Sequence, residues 1–259
     1  MENIEFLHKP TEEEPFAVII KPRGIASAPL FEGDISAYTH AAKVFPELNS
    51  VKGKKECEHG LLHRIDTDTE GLLLIAASQG FYDYMQGVQE EGNFIKSYKA
   101  ICTHRVYLPE GYPKQPYNIK NMLQNGCTNV KVKSMFRPYG IKNREVRPVT
   151  SESGKAALKK ASPAWYTTDI TLKQQENNTF SADCILTKGY RHQVRCHLSW
   201  LGYPIEGDAL YSEKDVTAPQ ESFKFWATKI QFPIKNGSSV IQKIFEYTPQ
   251  ARRSGVDSC

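Results

Sequence analysis

The chain has 259 residues, 40% hydrophobic and 24% charged, with a net charge of +4 and seven histidines, which allows a substantial buried core in one large or two ordinary domains and excludes wholesale disorder. So small a positive charge is compatible with a polyanionic partner and does not establish one. The first fourteen residues lack the basic and apolar regions of a secretory signal and no apolar run approaches the roughly 18 residues that span a bilayer, so a soluble, cytoplasmic protein is expected.

In chain order, Phe16-Ala17-Val18-Ile19-Ile20, ended by Lys21-Pro22-Arg23-Gly24, predicts a buried strand entering a turn. From Ile35 to Leu48, Ile35, Tyr38, Ala42, Val44 and Phe45 recur at helical spacing behind Asp34 or Ser36 as a cap. Leu72 to Ala76 is a second buried strand, Gly80 to Glu91 a helix, and Phe94 to Ile101 an alternating strand. Val106 to Ser162 has a looser pattern and gathers prolines. Within it, nine Lys or Arg (Lys131, Lys133, Arg137, Lys142, Arg144, Arg147, Lys155, Lys159 and Lys160) stand against Glu145 and Glu152. A solvated surface and a phosphate-contacting lobe explain that run equally well.

Strand alternation resumes at Trp165 to Leu172 and at Phe180 to Leu186. Arg191 to Leu201 predicts a helix with Val194, Leu198 and Leu201 on one face, flanked by His192, Arg195 and Ser199. Lys224 to Phe232 is the last strand, and Arg252 to Cys259 is expected to fray. Many strands and few helices, mostly outside βαβ alternation, give an α+β class with a mixed, largely antiparallel sheet.

The densest chemical signal is His63-Arg64-Ile65-Asp66-Thr67-Asp68-Thr69-Glu70-Gly71, followed by the apolar run Leu72 to Ile75. Asp66, Asp68, Glu70 and Gly71 open like a calcium loop, but the twelfth position, which requires a bidentate acid, is Ala77. Cys57, His59 and His63 lack a second ligand pair at zinc spacing, and the six scattered cysteines, with no C-x-x-C, are expected to be free thiols. Asp66 then has two readings. Acidic and hydroxyl side chains commonly cap backbone amides in a turn, and locally this is the stronger reading. It leaves Arg64 and His63 unexplained, whereas a carboxylate kept ionised by a guanidinium is a competent nucleophile or base.

Further on, Arg191 and Arg195 stand four apart at a helix start, where two guanidiniums repel unless an anion or carboxylate lies between them. By itself that segment is explained by a salt-bridged surface helix, and Tyr98 alone by a half-buried strand aromatic.

Taken in order, Ile19-Ile20-Lys21-Pro22-x-Gly24, His63-Arg64-Ile65-Asp66-x-x-Thr69-x-Gly71-Leu72-Leu73-Leu74, Lys96-x-Tyr98-x-Ala100 and His192-Gln193-Val194-Arg195-x-His197-Leu198-x-x-Leu201-Gly202-x-Pro204-Ile205-x-Gly207-Asp208-x-Leu210-Tyr211 resemble the RluA-type RNA pseudouridine synthases. The resemblance implies a pseudouridine synthase fold with flanking helices and a central RNA-binding cleft. It also implies cofactor-free and metal-free isomerisation of specific uridines in structured RNA, ribosomal RNA first and tRNA second, by a monomer. It makes Asp66 the catalytic aspartate, Tyr98 the active-site tyrosine and Arg195 the aspartate's partner. Arg64 matches the residue that contacts RNA and helps displace the target base, while Lys21, His63, Lys96, Arg191, His192 and Gln193 are expected as further RNA contacts.

Residues 16–247 then form the catalytic domain, with 107–162 a variable basic insert, 1–15 an N-terminal extension and 248–259 a tail; the S4 RNA-binding module found in many relatives is not expected. The family often has Thr-Ser-Gly where this chain has Thr69-Glu70-Gly71, and Thr-Gly-Arg where it has Lys188-Gly189-Tyr190, so Arg191 is a candidate substitute for the arginine missing at 190. A glycosidase using Asp66 and Asp68 and a non-catalytic RNA-binding protein are the alternatives.

Overall fold

Strands β2 (Phe16–Lys21) and β3 (Glu70–Ala76) are apolar at nearly every position, and accordingly both are buried, paired antiparallel from Phe16↔Ala76 to Lys21↔Gly71. The computed structural model describes residues 4–31, 33–123, 125–176, 178–212, 223–237 and 239–249. β1 (Glu5–His8) lies on the outer edge of β2. A second block is built from β4 (Ile95–Thr103), β5 (Cys127–Tyr139), β6 (Glu145–Val149), β7 (Tyr166–Gln174) and β8 (Thr179–Leu186). β9 (Phe225–Asn236) joins the blocks, giving the order β1-β2-β3-β9-β4-β8-β7-β5-β6, with β10 (Ser239–Glu246) as a hairpin on β9. Among the described strands every pairing is antiparallel except β3 with β9, which meet in parallel through Glu70↔Trp226 and Gly71↔Ala227. Gly71 has φ +132°, and a Cβ there would lie 2.1 Å from the Ala227 carbonyl oxygen. Only glycine permits this approach.

Helix α1 (Ala37–Val44) is capped by Ser36 and packs Ala37, Tyr38 and Ala41 with Ala17, Ile19, Leu73 and Ile75. It stops before Pro46, because a residue preceding proline disfavours the helical region. Pro46–Ser50 is instead a short 3-10 turn, so the helix expected to reach Leu48 is shorter than its spacing suggested. Helix α2 (Gln79–Glu90) packs Tyr82, Met85 and Val88 into the core that contains Phe16, Val18, Leu72 and Leu74. Two short helices, α3 (Ile119–Met122) and α4 (Lys155–Lys159), flank the second block.

Helix α5 (Gln193–Trp200) departs most from expectation, because all eight of its residues are buried. It is therefore no surface helix. Val194 and Leu198 pack with Val132, Ile170 and Cys184. His197, fully buried, reaches Ser134 Oγ at 3.0 Å and Thr168 Oγ1 at 2.9 Å, tying the helix to β5 and β7. Burial pushes the His197 pKa down to about 3, so the ring is neutral. The opposite side is covered too: Arg105 donates to the Ser199 carbonyl and hydroxyl, and Trp200 Nε1 to the Pro113 and Lys114 carbonyls.

The segment 107–162 is also more regular than its composition suggested, since β5 runs thirteen residues with alternating burial, pairing with β7 from Cys127 to Ser134 and with β6 from Met135 to Tyr139. Several of its cations are used internally. Lys131 pairs with Asp169 at 3.4 Å, and Lys133 lies over the Trp165 ring at 5.4 Å. Arg147 is buried against Glu145 and between the rings of Tyr112 and Tyr139. The expected frayed tail from Arg252 lies outside the described residues.

Candidate active site

The loop that carries Asp66 is fixed to the turn after β2 by backbone and buried polar groups. Ser27 Oγ donates to the Ile65 carbonyl at 2.7 Å and accepts from the Ile65 amide at 3.1 Å, while the Gly24 amide donates to Thr67 O at 2.9 Å. Lys21, with no exposed surface, spends its three N–H donors on the carbonyls of Pro22, Ile25 and Thr67 at 2.8, 2.8 and 2.9 Å. Burial pushes its pKa down to about 7, opposed by Asp66, Asp68 and Glu70. Thr69 N closes the loop by donating to Asp66 O at 3.0 Å. The aspartate thus stands on a braced loop at the seam where β3 meets β9.

The side chain of Asp66 is 24% exposed, and its Oδ2 accepts from Arg195 at 2.7 Å across 129 positions of sequence. Arg195 comes from the interior helix α5 and is itself gripped from behind: Nε and NH2 each donate to one oxygen of Asp208 at 2.8 Å, a two-pronged geometry that sets the guanidinium plane. The rings of Tyr211 and Phe223 lie 5.2 and 5.3 Å from its central carbon. Burial pushes the Asp66 pKa up, but Arg195 and then His192 overcome that, and the carboxyl sits below its usual range.

His192 Nε2 is 3.9 Å from Asp66 Oδ2. Its Nδ1 faces the Tyr211 hydroxyl at 3.1 Å, and that oxygen already accepts from the Val146 amide. The phenol proton is therefore left for Nδ1, and the histidine N–H points toward the carboxylate. Burial lowers the His192 pKa to about 4 despite Asp66, so the imidazole is neutral.

Tyr98 reaches the same place from β4, opposite Ala227 of β9, where the register shifts between Ser97 and Tyr98. Its ring stacks on Phe225 at 5.4 Å and 16°. Burial, then the Asp66 and Cys184 charges, raise its pKa, so the phenol is neutral. The three residues the sequence singled out most strongly are thus brought together.

The expected RNA contacts divide. Arg64 is exposed, 57% of its side chain, and reaches Glu58 at 2.7 Å. Lys21 is interior, as above, and Lys96 is also buried, donating to the carbonyls of Phe94 and Thr187 at 3.2 and 2.7 Å. His63 packs edge-on to Phe94 and bonds the Leu72 carbonyl at 3.1 Å. Gln193 is 3% exposed and holds Thr167, Thr168 and the Tyr190 amide. The structure places these four as internal braces: Lys21, Lys96 and Gln193 spend their polar atoms on backbone or buried hydroxyl partners, and His63 holds the Leu72 carbonyl through Nε2. Arg191 is exposed but turned away from Arg195, its guanidinium on the Asn143 and Glu145 carbonyls. Tyr190 stacks on Phe136 at 5.0 Å and 7°.

Asp208, Ser27, Phe223 and Phe225 complete the site without having been singled out. Asp208 alone had a legible signal: an acid in a glycine-punctuated loop directly behind a helix with excess guanidinium. The cysteine–histidine cluster near residue 60 is split, with His59 stacked on Tyr38 at 5.3 Å and His63 on its carbonyl.

Residues 15–200 match the RNA pseudouridylate synthase family. A protein of Mycoplasma pneumoniae called an uncharacterized RNA pseudouridine synthase is 25% identical over 230 residues, 85% of this chain and 60% of that one. A ribosomal large subunit pseudouridine synthase C of Rickettsia felis is 28% identical over 214 residues, 83% of this chain and 58% of its own. The chain therefore spans less than two thirds of these relatives' length. Among solved structures, human RNA pseudouridylate synthase domain containing 1 superposes with a TM-score of 0.62 at 16% identity, covering 96% of this chain and 84% of that one. Human RNA pseudouridylate synthase domain containing 4 gives 0.59 at 18%, covering 95% and 88%. Both share the α+β fold with its largely antiparallel sheet.

Proposed function

This chain belongs to the RNA pseudouridylate synthase family, and on that premise we propose that it isomerises specific uridines in structured RNA to pseudouridine, ribosomal RNA first and tRNA second, with Asp66 as the reacting carboxylate. The observation that carries the reading is the ion pair of Asp66 with Arg195 at 2.7 Å, the arginine being locked by Asp208 and Tyr98 standing within reach of the Asp66 charge. A partly exposed aspartate kept ionised suits a reaction that breaks the uridine N1–C1′ bond and rejoins C1′ to C5. Asp66 acts at the ribose, as nucleophile at C1′ or base at C2′, and ionisation is required for either. The C5 proton is lost and N1 is protonated, so the product is an isomer. The Tyr98 ring offers a stacking surface for uracil, and its neutral hydroxyl a proton relay.

A uridine within an RNA fold must leave its stack to reach Asp66. Arg64, exposed and two residues away, is placed to fill the gap, exchanging Glu58 for RNA. Arg64→Ala is expected to lower kcat/KM on structured RNA about tenfold while leaving turnover of a short unstructured oligonucleotide nearly unchanged. Equal effects on both RNAs would refute the gap-filling role.

The depressed carboxyl also fixes a pH dependence. A lowered pKa keeps Asp66 ionised until the pH falls below 3.8, and neutral His192 titrates near 4. The rate is therefore expected to be flat from about pH 5 to 8. Arg195→Met removes the largest influence opposing burial and should move an acid limb up toward that interval, detectable in single-turnover rates.

The reading itself is tested by incubating the purified protein with ribosomal and transfer RNA and mapping carbodiimide-reactive pseudouridine, with parallel maps from cells carrying and lacking the gene. New sites with unchanged RNA mass are expected. Released uracil would instead support a glycosidase, and RNA binding without modification a non-catalytic protein.

A further inference from the structure

Glu70 opens β3 four residues after Asp66, and its carboxylate is held from two sides. Arg23 Nε donates to Oε2 at 3.3 Å and the Tyr247 hydroxyl donates to Oε1. Arg23 comes from the turn after β2, with 18% of its side chain exposed. Its remaining donors go to the carbonyls of Phe223 and Phe225, the latter at 3.4 Å, and its plane lies 5.3 Å from the Trp226 ring. The two residues whose backbone it holds are those that support the reacting groups: Phe223 lies under Arg195 and Phe225 under Tyr98. The β3–β9 seam has just two paired positions here, too short a ladder to fix the spacing of the two sheet blocks by itself.

We propose that Glu70 and Arg23 are positioning residues that clamp this seam, setting the Asp66 loop at its working distance from Tyr98 and Arg195. Glu70 orients the Arg23 guanidinium, and Arg23 carries the restraint to the 223–225 backbone. Tyr247 ties the chain beyond β10 to the same carboxylate, its amide donating to Thr228 O at 2.8 Å. The proposal rests on the cleft being the pseudouridine-forming site.

In steady-state turnover of RNA, Arg23→Met is expected to lower kcat between about ten- and a hundredfold with KM within about twofold, since small misplacements of reacting groups are costly. Glu70→Gln should lose roughly threefold to tenfold, and the double variant no more than Arg23→Met alone, because the acid acts through the arginine. Arg23→Lys, which keeps the charge with a single donor group, should fall between. A raised KM with intact kcat would make Arg23 an RNA contact and overturn the clamp, as would additive losses in the double variant. Amide hydrogen exchange over residues 223–228 reads the clamp without turnover: at least about tenfold faster exchange is expected in Arg23→Met, and unchanged exchange overturns it. A wild-type protein that forms no pseudouridine, but whose Arg23→Met variant exchanges faster, would retire the reaction and leave the clamp standing.

Discussion

Asp66→Asn is expected to remove pseudouridine formation by about four orders of magnitude or more, as loss of a reacting group does elsewhere, while changing the melting temperature little. The amide has the carboxylate's shape and can still accept from Arg195, and Arg195 keeps both bonds to Asp208. What it lacks is the negative charge that the proposed role as nucleophile or base requires. The stability at stake is small because a quarter of the side chain meets solvent, which screens the pair. Its sign is nonetheless fixed. A depressed carboxyl pKa contributes stability above the unfolded value, lost as the pH falls through the folded one. The substitution should therefore cost most near neutrality and nothing in strong acid. Retained carbodiimide-reactive product in a correctly folded Asp66→Asn protein would sink the assignment.

Asp208→Ala is expected to be the most destabilising single change at the site. The aspartate has no exposed side chain, grips Arg195 twice, and accepts from the amides of Leu210 and Tyr211 at 2.9 and 3.2 Å. Truncation leaves a guanidinium 5% exposed with one partial partner, and breaking such a buried pair typically costs about 3–5 kcal/mol. For a chain of this size that is a fall in melting temperature of about 6–20 °C. Removing both charges separates stability from chemistry. Arg195→Met with Asp208→Leu should regain much of the lost stability, since an apolar replacement of a buried pair is often neutral, yet keep a lowered rate and the raised acid limb because Asp66 has lost its arginine. Calorimetry and an activity assay on the three proteins check this; recovered activity in the double variant would show that Asp66 needs no partner.

Strands β2, β3 and β9, the second block's β4, β7 and β8, and the helical segments at 37–44, 79–90 and 193–200 were legible because their apolar residues recur at simple periods. β5 was hidden by its own outward face. Lys131 and Lys133 alternate with Val130 and Val132, so a strand with one wet face resembled a charge run. β1 and β10 lie outside the strongest apolar runs, each short or largely exposed and added as an outer partner of its neighbour in sequence, β2 or β9. At the site, motif order led to Asp66, Tyr98 and Arg195, but residue type misled for Lys21 and Lys96. A lysine in a motif suggests a phosphate, whereas a buried ammonium can equally bind carbonyls, and only three-dimensional placement decides which. The same limit explains Asp208, which lies 13 residues from Arg195 in sequence but directly behind it in space.

The seam strand β9 is made late in the chain yet occupies the middle of the sheet, between β3 and β4. During synthesis, every other strand except β10 emerges from the ribosome before it. Until residues 225–236 are available, the inner edges of β3 and β4 have no mate, and the walls bearing Asp66 and Tyr98 are not joined by strand pairing. A nascent protein in that state exposes open edges of the kind that invite mispairing with other chains. Completion of the proposed site is therefore tied to the arrival of β9, and until then two half-sheets stand in place of an assembled site.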